Sequence, residues 1–551
     1  MRGSDLLARC GVASVATYFP AYHKSIDNDM FWGMNWTEWT SLHDNTLPDH
    51  PPIAWDPAAH NPLMHPATGS VYSIWEDGAQ MLKTHATLAA QAGFQAFMIY
   101  HYWFEHGRTA LHMPVEAATL HSERGLPINF FFSWANEAWE TSWNDPINGM
   151  AKAGVLIRQA YGGPQLWAAH FRYLLQFFLL PKYVKVDNRP VLVLYDSNHF
   201  ERSNLKADAP QPAECTKLDE QSKCGEGTPF GCAAASVYLD WYPPLRKATT
   251  REAAYVYHTS IGQRLGYVWP RSDPCEKPSK APHLLRSMLK LWHEMAREAG
   301  LGGLYVVGTA NHAARPADIP IAGGHDQVSG IAYFFPTSLA SSHISGHFLQ
   351  RTAVSCHAPN ARVVFNQKKY GSPPSCDCFL DHLAGDELDA NLKKLVTLAS
   401  SGMNNATLTY IRGAMPAFSD FPRRKRSGWA FCSDPSPRAY GRLIQRQLER
   451  SLDEAGGVEA CASTLATHAP TTDHRRSYKH FVLTNAFNEW SEQAVMEPSE
   501  QFGFQFLQAH FDAVSNLSSR VQAMVRTEPM TEREHNGETP SSALRPHFRE
   551  G

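Results

Sequence analysis

The chain has 551 residues, 43% of them hydrophobic and 19% charged, with a formal net charge of −3. This is a globular composition with material for a large core, and a pI near 6.8 carries no basic footprint for nucleic acid or an anionic membrane. No run approaches the roughly 18 apolar residues that span a bilayer, so no membrane segment is expected.

The N-terminal "MRGSDLLARCGVASVATYFP" has one early Arg and a mildly apolar stretch. That stretch runs straight into a first core strand at 12–19, so no signal peptide is read, and a soluble, cytoplasmic protein is the default. A helix over 78–93 leads to a strand at 94–100, then a strand at 127–135, a helix at 166–180 and a strand at 190–196. Residues 203–232 are polar and rich in Pro, Gly and Cys, and read as a surface insertion. An amphipathic helix at 282–300 ends in Gly before a strand at 303–310, and another strand follows at 330–335. Helices at 387–400 and 437–452 precede the last strand, 480–487. Apolar strands alternating with helices predict an α/β fold, a (β/α)₈ TIM barrel with long loop insertions over residues 1–525, followed by a disordered polar tail at 526–551. A doubly wound sheet is the competitor, but no Gly-rich phosphate loop follows any strand. The ten cysteines are scattered. Cys215, Cys224 and Cys232 share the insertion, where a disulfide is one reading, and Cys376 and Cys378 form another pair. None has the paired spacing of a zinc site, so no metal is expected.

In such a barrel the active face lies just past the C-terminal ends of the strands. Four of those ends read "YFPAYH" (Tyr18 to His23), "YHYWFEHGR" (from Tyr100), "SWANEAWETSW" (from Ser133) and "NAFNEWSE" (Asn485 to Glu492). Aromatics beside carboxylates, imidazoles and amides at all four ends are hard to assign to packing, and aromatic faces stack on sugar rings. The predicted substrate-binding set is Tyr18, His23, Trp39, Tyr100, His101, Tyr102, Trp134, Asn136, Glu137, Trp139, Asn488 and Trp490. His23 and His101 read equally well as satisfied core histidines. Arg423 and Arg424 in "FSDFPRRKRSGW" grip an anionic group or belong to a basic surface loop.

The predicted catalytic pair is Glu489 and Glu492. If the chain turns helically after Asn488, residues i and i+3 share a side of the turn, with Cβ atoms roughly 5–6 Å apart. Two such carboxylates disfavour double ionisation, so one serves as acid while the other stays a base, and retaining glycosidases hold their carboxyls roughly 5 Å apart. The plainer reading is a solvated helix start whose glutamates favour the N-terminal dipole. A cross-barrel pair, Glu137 as acid and Glu489 as nucleophile, stays open because both follow an Asn at a strand end.

The blocks "YFPAYH", "FWGMNWTEW", "YHYWF", "FSWANEAW", "DFPRR" and "NAFNEWSEQAVMEP" together resemble the WbsX-type proteins, glycosyltransferases of polysaccharide biosynthesis that are similar to glycoside hydrolase family 99. The blocks run in consistent order from about residue 15 to 510. Family 99 enzymes are (β/α)₈ endo-acting α-mannosidases and mannanases that retain configuration. By that resemblance Glu489 is the base that deprotonates the sugar 2-hydroxyl, giving a 1,2-anhydro intermediate, and Glu492 is the acid/base at the leaving oxygen. The chain has Ser491 where the hydrolases usually have His and Gln493 where Gly is usual. It also has Phe418-Ser419-Asp420-Phe421 where WbsX-type chains usually read Trp-Asp-Asn-Thr, so the +1 subsite and exact substrate are not carried over.

Three classes compete. A glycoside hydrolase acting on α-mannoside-like glycans needs the carboxylate pair and no cofactor. A glycosyltransferase typically wants a Rossmann-like sheet and a metal-binding Asp-x-Asp, for which the sole candidate considered is Asp27-Asn28-Asp29. A carbohydrate-binding barrel without catalysis is the third. The expected partner is a glycan, with no nucleic acid.

Overall fold

The computed structural model describes residues 3–44, 72–140, 155–200, 284–310, 328–333, 352–356, 374–400, 408–467 and 478–527, with short breaks inside these stretches. Eight parallel strands close into a barrel: β1 (Val12–Tyr18), β2 (Ala96–Trp103), β3 (Asn129–Trp134), β4 (Arg189–Leu194), β5 (Tyr305–Thr309), β6 (Gly330–Ala332), β7 (Thr409–Ala414) and β8 (His480–Thr484). Closure is visible in β1, where Val15 is in register with Ala96 of β2 on one side and Leu483 of β8 on the other. All seven residues of β1 are buried, as a strand sheathed on both faces requires.

Helices pack around the strands: α1 (Gln80–Gln91), α2 (Pro164–Phe178), α3 (Leu284–Glu298), α4 (Asp386–Ser400), α5 (Pro437–Glu454), α6 (Gly457–Thr467) and α7 (Gln505–Thr527). In α3 the buried residues Leu284, Leu285, Met288, Leu289, Trp292 and Ala296 recur every three or four positions, so one stripe faces the barrel. The helix stops at Gly300, whose φ of 81° is the left-handed stop that glycine adopts without strain. The barrel is therefore the (β/α)₈ architecture that the alternation of elements predicts.

One strand has no counterpart in the sequence reading. β7, "TYIRGA", carries Arg412 at its centre, which hides its apolar run. Arg412 is buried between the strand and its flanking helices, where Asp389 of α4 and Glu454 of α5 each take two of its N–H groups at 2.8 to 3.1 Å. The insertion at 203–232 and nearly all of the 526–551 tail lie outside the described residues. Among the described residues three disulfides join Cys10 to Cys461, Cys356 to Cys378 and Cys376 to Cys432, so Cys376 and Cys378 pair with separate partners. Among the described residues no helix is long and apolar enough to cross a membrane.

Candidate active site

β8 runs out at Thr484, and the chain then makes a tight return. Asn488 and Glu489 pair antiparallel with Val495 and Ala494, with a single 3₁₀ turn, Trp490–Glu492, between them. Tyr22, after β1, caps that turn: its hydroxyl accepts the Trp490 N–H at 2.9 Å and the Ser491 N–H at 3.4 Å, donors that a first helical turn otherwise leaves orphaned. Gln493 closes the return at a φ of 53°, a conformation strained for any residue with a Cβ. Its side-chain amide donates to the Trp490 carbonyl at 2.6 Å and offsets part of that strain. Asn488 fastens the return to β1, its amide accepting the Phe19 N–H and donating to the Phe19 carbonyl, both at 2.8 Å.

Against this turn stands Arg423, on the one-turn helix Phe421–Arg424 that follows β7. Its guanidinium donates to Glu489 Oε1 at 2.8 Å through one arm and to Glu492 Oε1 at 2.7 Å through the other. Glu38, from the helix Glu38–Asp44, is the third carboxylate. Its Oε2 lies 3.5 Å from Arg423 Nη2 and accepts the Ser491 hydroxyl at 2.8 Å. The Ser419 N–H, donating to the Glu492 carbonyl at 2.8 Å, ties the β7 loop to the same turn. Burial pushes the Glu489 carboxyl well above the usual carboxylate range; Arg423 opposes the shift, while the charges of Glu492 and Glu38 add to it. Among three carboxylates around one guanidinium, Glu489 is therefore the one whose burial most favours its protonated form. The side chain of Glu489 is 5% exposed and that of Glu492 24%, so the two differ in their access to solvent.

An open cleft adjoins the cluster, with Glu38 in its wall beside Phe19, Tyr102 and Trp139. The site lies at the C-terminal ends of the strands, where this architecture places its chemistry.

The sequence profile described as "Glycosyltransferase WbsX" matches residues 14–211 and 277–510. The chain belongs to this family. WbsX is a family of carbohydrate-active enzymes. A curated relative, the uncharacterized protein WxcX of Xanthomonas campestris pv. campestris, is 31% identical over 181 residues in each of two strains. That match covers 33% of this chain and 23% of the relative, so this chain spans about a quarter of the relative's length. Among solved structures, a GH99 endo-alpha-mannosidase from Bacteroides thetaiotaomicron aligns with 93% of this chain and 98% of its own at 11% identity and a TM-score of 0.39. A glycoside hydrolase-like protein aligns with 86% and 99% at 9% identity and a TM-score of 0.38.

The barrel brings part of the predicted set of this WbsX chain together and sends part elsewhere. Tyr102 and Trp139 line the cleft. The charges of Glu489, Arg423, Glu38 and Glu137 all bear on the Tyr102 hydroxyl, and those of Glu489 and Glu492 on Tyr100, so Glu137 and Tyr100 share this face; burial is the larger cause of the upward shift in both tyrosines. Side chains alternate along a strand, and the neighbours of these residues therefore point outward. His101 meets His170 of α2 at 2.9 Å, and burial lowers its pKa to about 3, which leaves a neutral core histidine. Trp134 packs on Trp292 of α3 and donates to the Trp103 carbonyl at 3.0 Å. Tyr18 turns toward α1, its hydroxyl 2.9 Å from His85 Nδ1. Asn136 links Tyr161 and the Asp196 backbone, and His23 holds the Lys24 carbonyl at 2.8 Å. Trp39 packs between Tyr22, Tyr72 and Trp490, and Trp490 is fully buried beneath the turn.

Glu38 and Tyr22 escaped the sequence reading, although both lie in quoted blocks, "NWTEW" and "YFPAYH". Nothing local marks Glu38 as a partner of residues more than 450 positions away. Asp27 and Asp29 lie two apart on the helix Ile26–Trp32, so they do not face one point, and Asp27 is paired with Arg108 at 2.6 Å. Among the described residues one group of metal-ligating types converges, Cys356, Cys378 and His382, and its two thiols are joined as a disulfide.

Proposed function

We propose that the chain is a retaining glycoside hydrolase acting on α-mannoside-like glycans, with Glu489 as base and Glu492 as acid. The observation that carries this reading is the Arg423 fork, which holds both carboxylates beside the cleft at 2.7 and 2.8 Å. Burial makes Glu489 a stronger base, one that keeps a proton once it has taken it from a sugar hydroxyl, while Arg423 favours its ionised form beforehand. Glu492, the more exposed of the two, can exchange its proton with water between turnovers.

The test uses Glu→Gln variants, which keep shape and remove the ionisable group. Each of Glu489→Gln and Glu492→Gln is expected to fold normally and to lose activity on a plain α-mannoside by roughly 10²–10⁴. On an aryl α-mannoside with a good leaving group, Glu492→Gln retains more of the first step, because little protonation is needed there, while Glu489→Gln stays inactive. Leaving-group rescue in Glu137→Gln, with Glu492→Gln like wild type, would move the acid to Glu137. The family's description favours a transferase as the second reading. Transfer from a nucleotide-sugar donor, with no release of sugar to water, would establish it instead.

A further inference from the structure

The cleft beside the carboxylate cluster contains polar groups other than the proposed acid and base. Asn28, Glu38 and Tyr102 line it and are 4%, 6% and 6% exposed. Among the described residues the Asn28 amide and the Tyr102 hydroxyl make no hydrogen bond, and Glu38 uses only its Oε2. None of these atoms is sealed in the core; they face the cleft, so a carboxylate oxygen, an amide and a phenol lining one space fit a ligand that supplies several hydroxyls. The walls suit the same ligand. Among the lining residues, Trp32 and Trp36 have ring centroids 6.0 Å apart, and Trp139 stands edge-on to Tyr102 at 5.7 Å.

Charge narrows the class further. The described lining contains two carboxylates, Glu38 and Glu140, and no cationic side chain. The nearest guanidinium, Arg423, already faces three carboxylates, and Arg108 is held by Asp27. An anionic group entering here meets like charge at low dielectric, and among the described lining residues no cation receives it. We infer that this cleft is a subsite for an uncharged pyranose ring, that Glu38 is its specificity-determining residue, and that it discriminates against hexuronates and diphosphates. This rests on the reading of the site as glycan-binding, and it names the sugar class.

Calorimetric titration of the full chain tests it with three probes: a thio-linked α-mannobioside, which resists hydrolysis, its C6-oxidised uronate counterpart, and GDP. The neutral disaccharide is expected to bind at least about 10-fold more tightly than either anion. Glu38→Gln is expected to weaken it about 10-fold and to erase most of the discrimination; Asn28→Ala is expected to weaken it less and to leave the discrimination intact. Equal binding of the uronate or of GDP overturns the proposal, as does a neutral disaccharide that does not bind at millimolar concentration. If Glu38→Gln disturbs folding, the wild-type ranking and Asn28→Ala still decide. Aryl mannoside hydrolysis by the wild-type chain reports on the reaction and the ranking of the three probes on the sugar class, so the subsite and the reaction can fail separately.

Discussion

At position 423 one guanidinium faces three carboxylates, two of them through separate arms, a geometry that the single ammonium of lysine cannot copy. Behind that cluster lies a second buried acid. Glu497 accepts the Trp490 indole N–H at 2.6 Å and the Tyr72 hydroxyl at 2.8 Å, with His85 Nε2 at 3.3 Å. Burial pushes Glu497 up to about 8, against the downward pull of those donors, and pushes His85 down to about 3. The linked stability follows from the sign. The unfolded Glu497 carboxyl ionises near 4.5 while the folded one keeps its proton, so its contribution is full below pH 4.5 and is lost as pH rises through about 8. His85 acts oppositely, but only below its unfolded pKa of about 6.5, which leaves the window above that to Glu497. Glu497→Gln cannot ionise. Its melting temperature relative to wild type should therefore rise by roughly 5 °C between pH 6 and pH 9 in thermal scans, whereas a constant difference would show that Glu497 is already ionised at neutral pH.

Among the strands, β7 shows what periodicity cannot read. An arginine inside an apolar run looks like a loop until both of its carboxylate partners are known, and Asp389 and Glu454 lie on different helices. Removing Arg412 leaves two partly buried carboxylates facing each other. Arg412→Ala is expected to cost about 3 kcal/mol in denaturant titrations, and Asp389→Asn with Glu454→Gln added should recover part of that loss. The other seven strands were legible because each is a short apolar run between turn residues, and the amphipathic helices because their buried positions recur at helical spacing. The site was legible where its residues are neighbours in sequence: the pair at 489 and 492 faces one guanidinium through a 3₁₀ turn, as the i, i+3 spacing allows. Strand alternation was the signal left unused. It separates Tyr100 and Tyr102 from His101 and Trp103, and contiguous blocks conceal it.

Across the whole barrel, the Cys10–Cys461 disulfide joins the end of the first helix, Gly3–Arg9, to α6, spanning 451 positions, and α7 packs against both helices. Ser518 of α7 donates to the Gly3 carbonyl at 2.8 Å. Replacing both cysteines by alanine should lower unfolding free energy by about 2–5 kcal/mol and leave turnover unchanged, as measured by denaturant titration and by assay of the same sample. Loss of turnover without loss of stability would instead implicate this staple in the shape of the cleft.

The seam between β8 and β1, fastened by Asn488 on Phe19, bears on the chain as it is being made. Glu38 leaves the ribosome early, Arg423 much later, and Glu489 and Glu492 later still, yet all four must meet at that seam. A nascent chain that stops before residue 480 lacks the closing strand and both proposed catalytic carboxylates. Under the proposed function, translation that halts early thus yields no partially active product, and the proposed chemistry begins only when the two ends of the barrel have found each other.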